Sequence, residues 1–294
     1  RDDPNRRDLT HLSCFSIDSA STQEVDDAIG LERKEGEVWI WIHIADPHQW
    51  IGPGDGLDLE AQRRGSTLYL SGGSMPMFPM ELARDRMSLR PMRSCAAVSI
   101  GVLLDEVGAI AAVDPCRSWV KVSYGLTYQD ADELIELAPP EDPDLADLSA
   151  LLKRRTAWRE QAGALLMDQA EGRLFRNAEG ALALEVTEPG LARSCVSEAM
   201  VLAGAAMAEW SAEQQLAMPY RVQPGSIENT PNAEHWPQGP VRWAQQRRGL
   251  SYPGAIGNIG RALFSLDENP DCALIHCLLF PFSPCRGWDE SLVF

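Results

Sequence analysis

The eight residues from Val38 to Ala45, VWIWIHIA, constrain this chain more than any other segment. The run is almost continuously apolar and rich in β-branched and aromatic residues. It is too short for a membrane span, and Asp46-Pro47 stops it. These properties read as a buried strand, which needs neighbours for its backbone hydrogen bonds and other layers to cover it. Ala96 to Leu104 and Ala109 to Val113 supply two further strands, joined around Asp105–Gly108 as a hairpin, and Trp119 to Tyr124 reads as a third. Leu182 to Val186 is another strand candidate.

Helical spacing appears in three places. Leu57 to Arg64 stops at Gly65, a natural C-terminal cap. After a Pro-rich, acidic loop over 139–147, apolar residues from Leu145 to Leu166 recur every three or four positions, with Arg154 and Arg155 read as part of a solvated polar face. Val196, Met200, Ala203, Met207 and Trp210 define a further helix, with Glu198 off its apolar stripe. Residues 71–79 and 219–260 are rich in Gly and Pro and read as loops. With no internal repeat and no sharp linker, a single mixed domain of helices and strands is the simplest account.

Composition narrows the class. The 294 residues are 45% apolar and 23% charged, as in an ordinary soluble globular protein. No apolar stretch approaches the roughly 20 residues of a membrane span, and no signal peptide is visible. Seven cysteines, scattered and never spaced as CxxC, fit reduced thiols and a cytoplasmic location. A net charge of −17 weighs against a generic nucleic-acid binder, whose affinity comes from Lys and Arg on phosphates. It leaves open an enzyme that holds metal ions with carboxylates. The chain opens in mid-motif at Arg1, as a piece of a longer protein would.

The densest chemical signal is Asp18, Glu24, Asp26 and Asp27, four carboxylates within ten residues and no basic residue among them. Such runs in loops are usually just solvated. If the four instead converged in a cleft, repulsion and desolvation would raise their pKa values unless cations sat among them. Oxygen-only ligands suit Mg²⁺, which shares its shell with substrate phosphate, or Mn²⁺. That chemistry serves metal-assisted phosphodiester hydrolysis.

The same residues carry a family resemblance. Arg6-Arg7-Asp8-Leu9-Thr10, Ser16-Ile17-Asp18 and Asp26-Asp27-Ala28 resemble the opening signature of the RNB-type exoribonucleases, the ribonuclease II family. Matching blocks continue in order: Ile42–Pro47, Leu57–Ala61 with Arg64-Gly65, Tyr69-Leu70, Pro76–Pro79 with Glu81-Leu82, and Ser88–Pro91. Later come Leu126–Tyr128, Val196–Met200 and Pro219–Val222. The resemblance implies an α+β fold: one RNB-type catalytic domain over 1–294, its mixed sheet and helices surrounding a single-strand RNA channel. It further implies a Mg²⁺-dependent, processive hydrolase that degrades single-stranded RNA from the 3′ end to nucleoside 5′-monophosphates, with no membrane and no obligate protein partner.

Carried over by position, Asp18, Asp26 and Asp27 match the family's metal-binding and catalytic aspartates, and Glu24 stands where the fourth is normally Asp. Tyr69 matches the tyrosine that stacks on the terminal nucleotide, and Glu198 an acidic residue near the terminal ribose. In Ser283-Pro284-Cys285-Arg286-Gly287-Trp288-Asp289, Arg286 matches the arginine that steadies charge on the scissile phosphate, with Gly287 and Trp288 replacing a basic residue and Tyr. His43 and Asp46 read as structural, through turn and strand-end hydrogen bonds. The family's cold-shock-like barrels and terminal RNA-binding barrel have no counterpart in this sequence. Two other readings remain: an impaired RNB-like protein that binds RNA or a partner without turnover, and a metal-dependent hydrolase of small phosphoesters.

Overall fold

A computed structural model describes residues 3–20, 22–70, 73–162, 164, 166, 171–176, 180–187, 189–216 and 218. The apolar run forms β4 (Glu37–Ala45), the middle strand of a seven-stranded sheet. Its hairpin partner β3 (Asp27–Lys34) lies on one side and β7 (Ser94–Leu104) on the other. Beyond β3 come β2 (Cys14–Asp18) and β9 (Tyr124–Thr127); beyond β7 come β8 (Ile110–Lys121) and the two-residue β1 (Arg7–Asp8). The β1–β8 and β2–β9 pairs are parallel and the rest antiparallel, so the sheet is mixed.

Two small hairpins stand outside this sheet: β5 (Leu68–Leu70) with β6 (Gly73–Met75), and β10 (Glu171–Arg176) with β11 (Leu182–Thr187). The helices are α1 (Gly56–Arg64), α2 (Met80–Asp85), α3 (Tyr128–Leu137), α4 (Asp144–Gln161) and α5 (Leu191–Glu213). The architecture is α+β, as the family resemblance implies.

Strand alternation explains why nearly every residue of β4 is apolar. Ile40, Ile42 and Ile44 pack into a core shared with Leu148 and Leu152 of α4 and Leu202 and Met207 of α5. Trp41 and Ala45 face the other way, into a second core with Leu9, Leu12, Leu89, Val120 and Val122. One face is therefore covered by helices and the other by the N-terminal segment and loops, so neither face of the strand meets water. Trp41 fits because its cross-strand neighbour is Gly101, where an added Cβ would lie 2.9 Å from the indole.

His43 is fully buried on the Trp41 side, and burial lowers its pKa to about 3, so it is neutral. It bonds Ser99 Oγ through Nδ1 at 2.6 Å, and its Nε2 lies 3.4 Å from Cys14 Sγ. Asp46 accepts from the His48 amide and pairs with Arg6, both side chains being almost wholly buried. Arg6 also donates to the carbonyls of Ala97 and Ser118, at 3.1 and 3.2 Å, and to Gln49 at 2.9 Å. The structural reading of His43 and Asp46 therefore stands.

Several local expectations need correction. The region divided between two strands, Ala109–Val113 and Trp119–Tyr124, is one twelve-residue strand, β8, that contains Pro115, while Tyr124 begins β9 at the opposite edge. Pro115 is tolerated because β1 covers only Ser118 and Trp119, leaving an edge at 115 that needs no amide donor. α4 starts at Asp144, inside the expected loop, and ends at Gln161 rather than Leu166. Helix α2 follows directly on the expected 71–79 loop, and α3 was not foreseen.

Arg155 is not on a solvated face. It is 2% exposed, donates to the Gly108 carbonyl at 3.0 Å, and lies 4.2 Å over the Trp158 ring. Gly108, at φ +97° in the β7–β8 turn, packs so closely on α4 that its carbonyl needs an internal donor.

The Arg6–Asp46 pair fixes the N-terminal segment to the end of β4, and removing Arg6 leaves the buried Asp46 with only the longer Arg117 contact, at 3.7 Å. Arg6→Met is expected to destabilise the chain by about 3 kcal/mol. Urea melts should show a lower midpoint with an unchanged slope, and adding Asp46→Leu should restore part of the loss.

Candidate active site

β2 and β3 pair only at Cys14–Gly30 and Phe15–Ile29. Beyond that point β2 pairs on with β9, and β3 with β4, so the hairpin splays toward its connecting loop. Asp18 ends one arm, Asp27 begins the other, and Glu24 and Asp26 lie in the loop between. The loop is held at both sides of Val25: its amide donates to Ser88 Oγ, and its carbonyl accepts from the Leu89 amide, each at 2.8 Å. The Asp26 carbonyl accepts from Ala45 N at 2.8 Å, tying the cluster to the end of β4. Asp18 stands in register with Thr127, the N-cap of α3, whose helix dipole favours anions nearby.

Electrostatics confirm that the carboxylates are neighbours. Withdrawal from water raises the pKa of Asp18. It raises Asp26 to about 6, with repulsion from Glu24 and Asp18 adding to it. Asp27 rises furthest, to about 7, from burial and then from Asp18 and Asp26. Asp26 keeps solvent-exposed surface yet is flanked by enough protein to lose hydration, whereas the other three are half-buried. Among the described residues no Lys, Arg or His pairs with any of the four.

This donor set fits a hard divalent cation: oxygen ligands only, charge in excess, and no protein cation competing. Among the described residues, however, no three Asp, Glu, His or Cys side chains stand close enough together to hold one ion between them.

The other expected site residues are spread more widely. Tyr69 lies on β5, in register with Ser74 of β6. Glu198, off the apolar stripe and otherwise expected to be an exposed charge, is 5% exposed on α5. Its Oε2 accepts from Arg159 Nη1 of α4 at 2.6 Å, while Oε1 is buried without a hydrogen-bond partner. Burial raises the Glu198 pKa, opposed by Arg159. Arg286 and the segment around it lie outside the described residues, as does 219–222.

Sequence reasoning missed Arg159 as the partner of Glu198, and Ser88 and Leu89 as the seat of the acidic loop. Each pair joins residues far apart in the chain, and only the second left a trace, in the Ser88–Pro91 block.

Comparison with known proteins supplies independent findings. The RNB domain family matches residues 6–246. An uncharacterized ribonuclease of Synechocystis sp. is 37% identical over 277 residues, covering 91% of this chain and 41% of that protein. The chloroplastic/mitochondrial ribonuclease II of Arabidopsis thaliana is 37% identical over 243 residues, covering 81% and 30% respectively. The chain thus spans less than half the length of these curated relatives. Mycoplasma genitalium RNase R, solved in complex with ribose-methylated single-stranded RNA, superposes with a TM-score of 0.69 at 21% identity, over 76% of this chain and 36% of that one. Yeast Ssd1, a pseudonuclease, gives 0.55 at 17% identity, over 74% and 27%. At these identities the two structures speak for the fold alone.

The raised carboxylates make a stability prediction for the metal-free chain. Their folded pKa values exceed the unfolded value of about 4, so the native state holds extra protons between about pH 4 and pH 7. Stability therefore falls as pH rises through that window. Thermal melts in chelator should show Tm several degrees lower at pH 8 than at pH 5. Asp27→Asn should reduce that dependence and raise Tm at pH 8.

Proposed function

The chain belongs to the RNB domain family, and on that premise we propose that it is the catalytic part of a hydrolytic 3′-to-5′ exoribonuclease releasing nucleoside 5′-monophosphates from single-stranded RNA. The observation that carries this reading is the splayed β2–β3 hairpin, which gathers four acidic residues that have no protein cation among the described residues. The names of the relatives, ribonuclease II and RNase R, support it at the level of the family.

Asp18, Glu24, Asp26 and Asp27 would hold Mg²⁺ or Mn²⁺, which when bound supplies an activated water and charge neutralisation at the scissile phosphate. The chain's own residues do the rest. Asp27, its carboxyl pushed up by burial and by the charges of Asp18 and Asp26, would give up its proton when a cation binds. Val25, fixed at both its amide and its carbonyl, keeps Glu24 and Asp26 from drifting apart. Tyr69 would stack on the terminal base, as the family resemblance implies, which suits an enzyme indifferent to sequence. Glu198, one oxygen of which is held by Arg159, would accept from the terminal ribose, as the family resemblance implies. Arg286 would steady charge on the phosphate through its guanidinium fork.

A second reading, RNA binding without turnover, draws on one feature of this chain: Glu24 where the family normally has Asp. The extra methylene moves the carboxylate about 1 Å, and a shift of that size can cost on the order of a hundredfold in rate.

Incubation of the chain with 5′-labelled single-stranded RNA tests both readings. A Mg²⁺-dependent ladder that shortens from the 3′ end, abolished by chelator, is expected. Asp27→Asn should lose turnover by at least about a hundredfold while still binding RNA in a filter assay. Intact RNA beside a folded, RNA-binding wild-type chain would favour the second reading.

A further inference from the structure

A second feature lies at the same end of the sheet as the carboxylates. Residues 84–93, RDRMSLRPMR, carry four arginines and one aspartate in a chain of net charge −17. They form a strap running from the end of α2 into β7. Arg86, Arg90 and Arg93 are exposed, and Lys121, in register with Ser94, adds a further cation. The strap borders a recess of about 330 Å³ whose walls include Trp50, Trp119, Arg86 and Arg93. Trp50 is 40% exposed, with the Arg86 guanidinium 5.1 Å from its ring centre.

The strap and the candidate active site are mechanically one piece. Ser88 and Leu89, within the strap, are the residues that grip Val25 between Glu24 and Asp26. Ala96, in the recess wall, accepts from the Asp46 amide, and the adjoining Ala45 amide donates to Asp26. Recess and carboxylates are thus about two strand spacings apart, roughly 10 Å.

We propose that the Trp50–Trp119 recess and the Arg86–Arg93 strap form an accessory subsite for single-stranded RNA, one base stacking in the recess while Arg86 and Arg93 contact neighbouring phosphates. An exposed indole beside cations, here Trp50 under Arg86 with Trp119 under Arg6, is the pairing that single-strand binders use, because any base can stack and every nucleotide carries a phosphate. On an acidic protein, such a local strip also gives a polyanion a route toward the carboxylates. The Asp85–Arg93 ion pair, at 2.5 Å, is more than half exposed on its acidic side, so Arg93 can be shared with a phosphate at small cost.

This inference rests on the RNA-degrading reading above, and its test separates the two. Binding of a fluorescein-labelled oligouridylate is followed by anisotropy across a salt series, in the Asp27→Asn chain to prevent hydrolysis. Arg86→Gln/Arg93→Gln is expected to weaken binding about tenfold and to lower the log–log salt slope by about 1.4, two phosphates at roughly 0.7 each. Trp50→Ala should also weaken it about tenfold, and Trp50→Phe should keep most of the affinity. In the otherwise wild-type chain the same changes should raise KM for long RNA and leave hydrolysis of a very short oligonucleotide unaltered.

If the parent chain binds and digests RNA but folded variants match it in affinity and salt slope, the subsite is overturned and the recess is a protein-facing surface. If the parent neither binds nor digests RNA, the reading beneath it fails as well. Should Trp50→Ala not fold, the arginine pair, both exposed, decides the question.

Discussion

Strand β4 is the middle of seven, and the candidate site is positioned from its C-terminal end. The strand has apolar cover on both faces, three helices on one and the N-terminal segment with loops on the other, and this double burial fixes its register. Asp27 is in register with Ile44, the Asp26 carbonyl takes the Ala45 amide, and Asp46 receives Arg6. A slip of one residue would exchange the isoleucines for Trp41 and His43 against the helices and move all three acidic residues. The precision of the carboxylate cluster is therefore inherited from hydrophobic packing.

The acidic residues divide into compensated and uncompensated ones. Asp46 is buried and paired with Arg6, and Glu198 is buried and paired with Arg159. Both satisfy the rule that charge withdrawn from water needs a partner. Asp18, Glu24, Asp26 and Asp27 break it together, in one place, and two of them are pushed toward neutral pKa as a result. Among the described residues, arginines reach the other two buried carboxylates and none reaches these, so the cluster carries a local instability that a divalent cation would relieve, the usual relation between a preorganised site and stability.

The overall charge of −17 and an RNA substrate pull in opposite directions. The acidic surface repels a polyanion within a Debye length of about 8–10 Å in physiological salt, so local arrangement counts for more than the total. The strap over residues 84–93 concentrates positive charge beside the carboxylates, and its backbone also holds the acidic loop. Under the proposed function, RNA binding and metal placement would share one segment, coupling the approach of RNA to the geometry of the site.

What the sequence determined by itself was local or short in range. The strand at 38–45, the helix at 57–64 with its Gly65 cap, the β7–β8 hairpin around Asp105–Gly108 and the density of carboxylates over 18–27 all follow from nearest-neighbour chemistry. The ordered motif blocks indicated the family in the same way. Tertiary structure alone decided that β2 and β3 splay, that Pro115 lies within one long strand because β1 stops short of it, and that Arg155, Arg159 and Glu198 are internal. These outcomes depend on partners at least 39 residues away, such as Arg159 with Glu198, Arg155 with Gly108 and Arg7 with Ser118. Helical spacing tells which residues share a face but not what that face meets, and a charged residue is internal only when a distant partner makes it so.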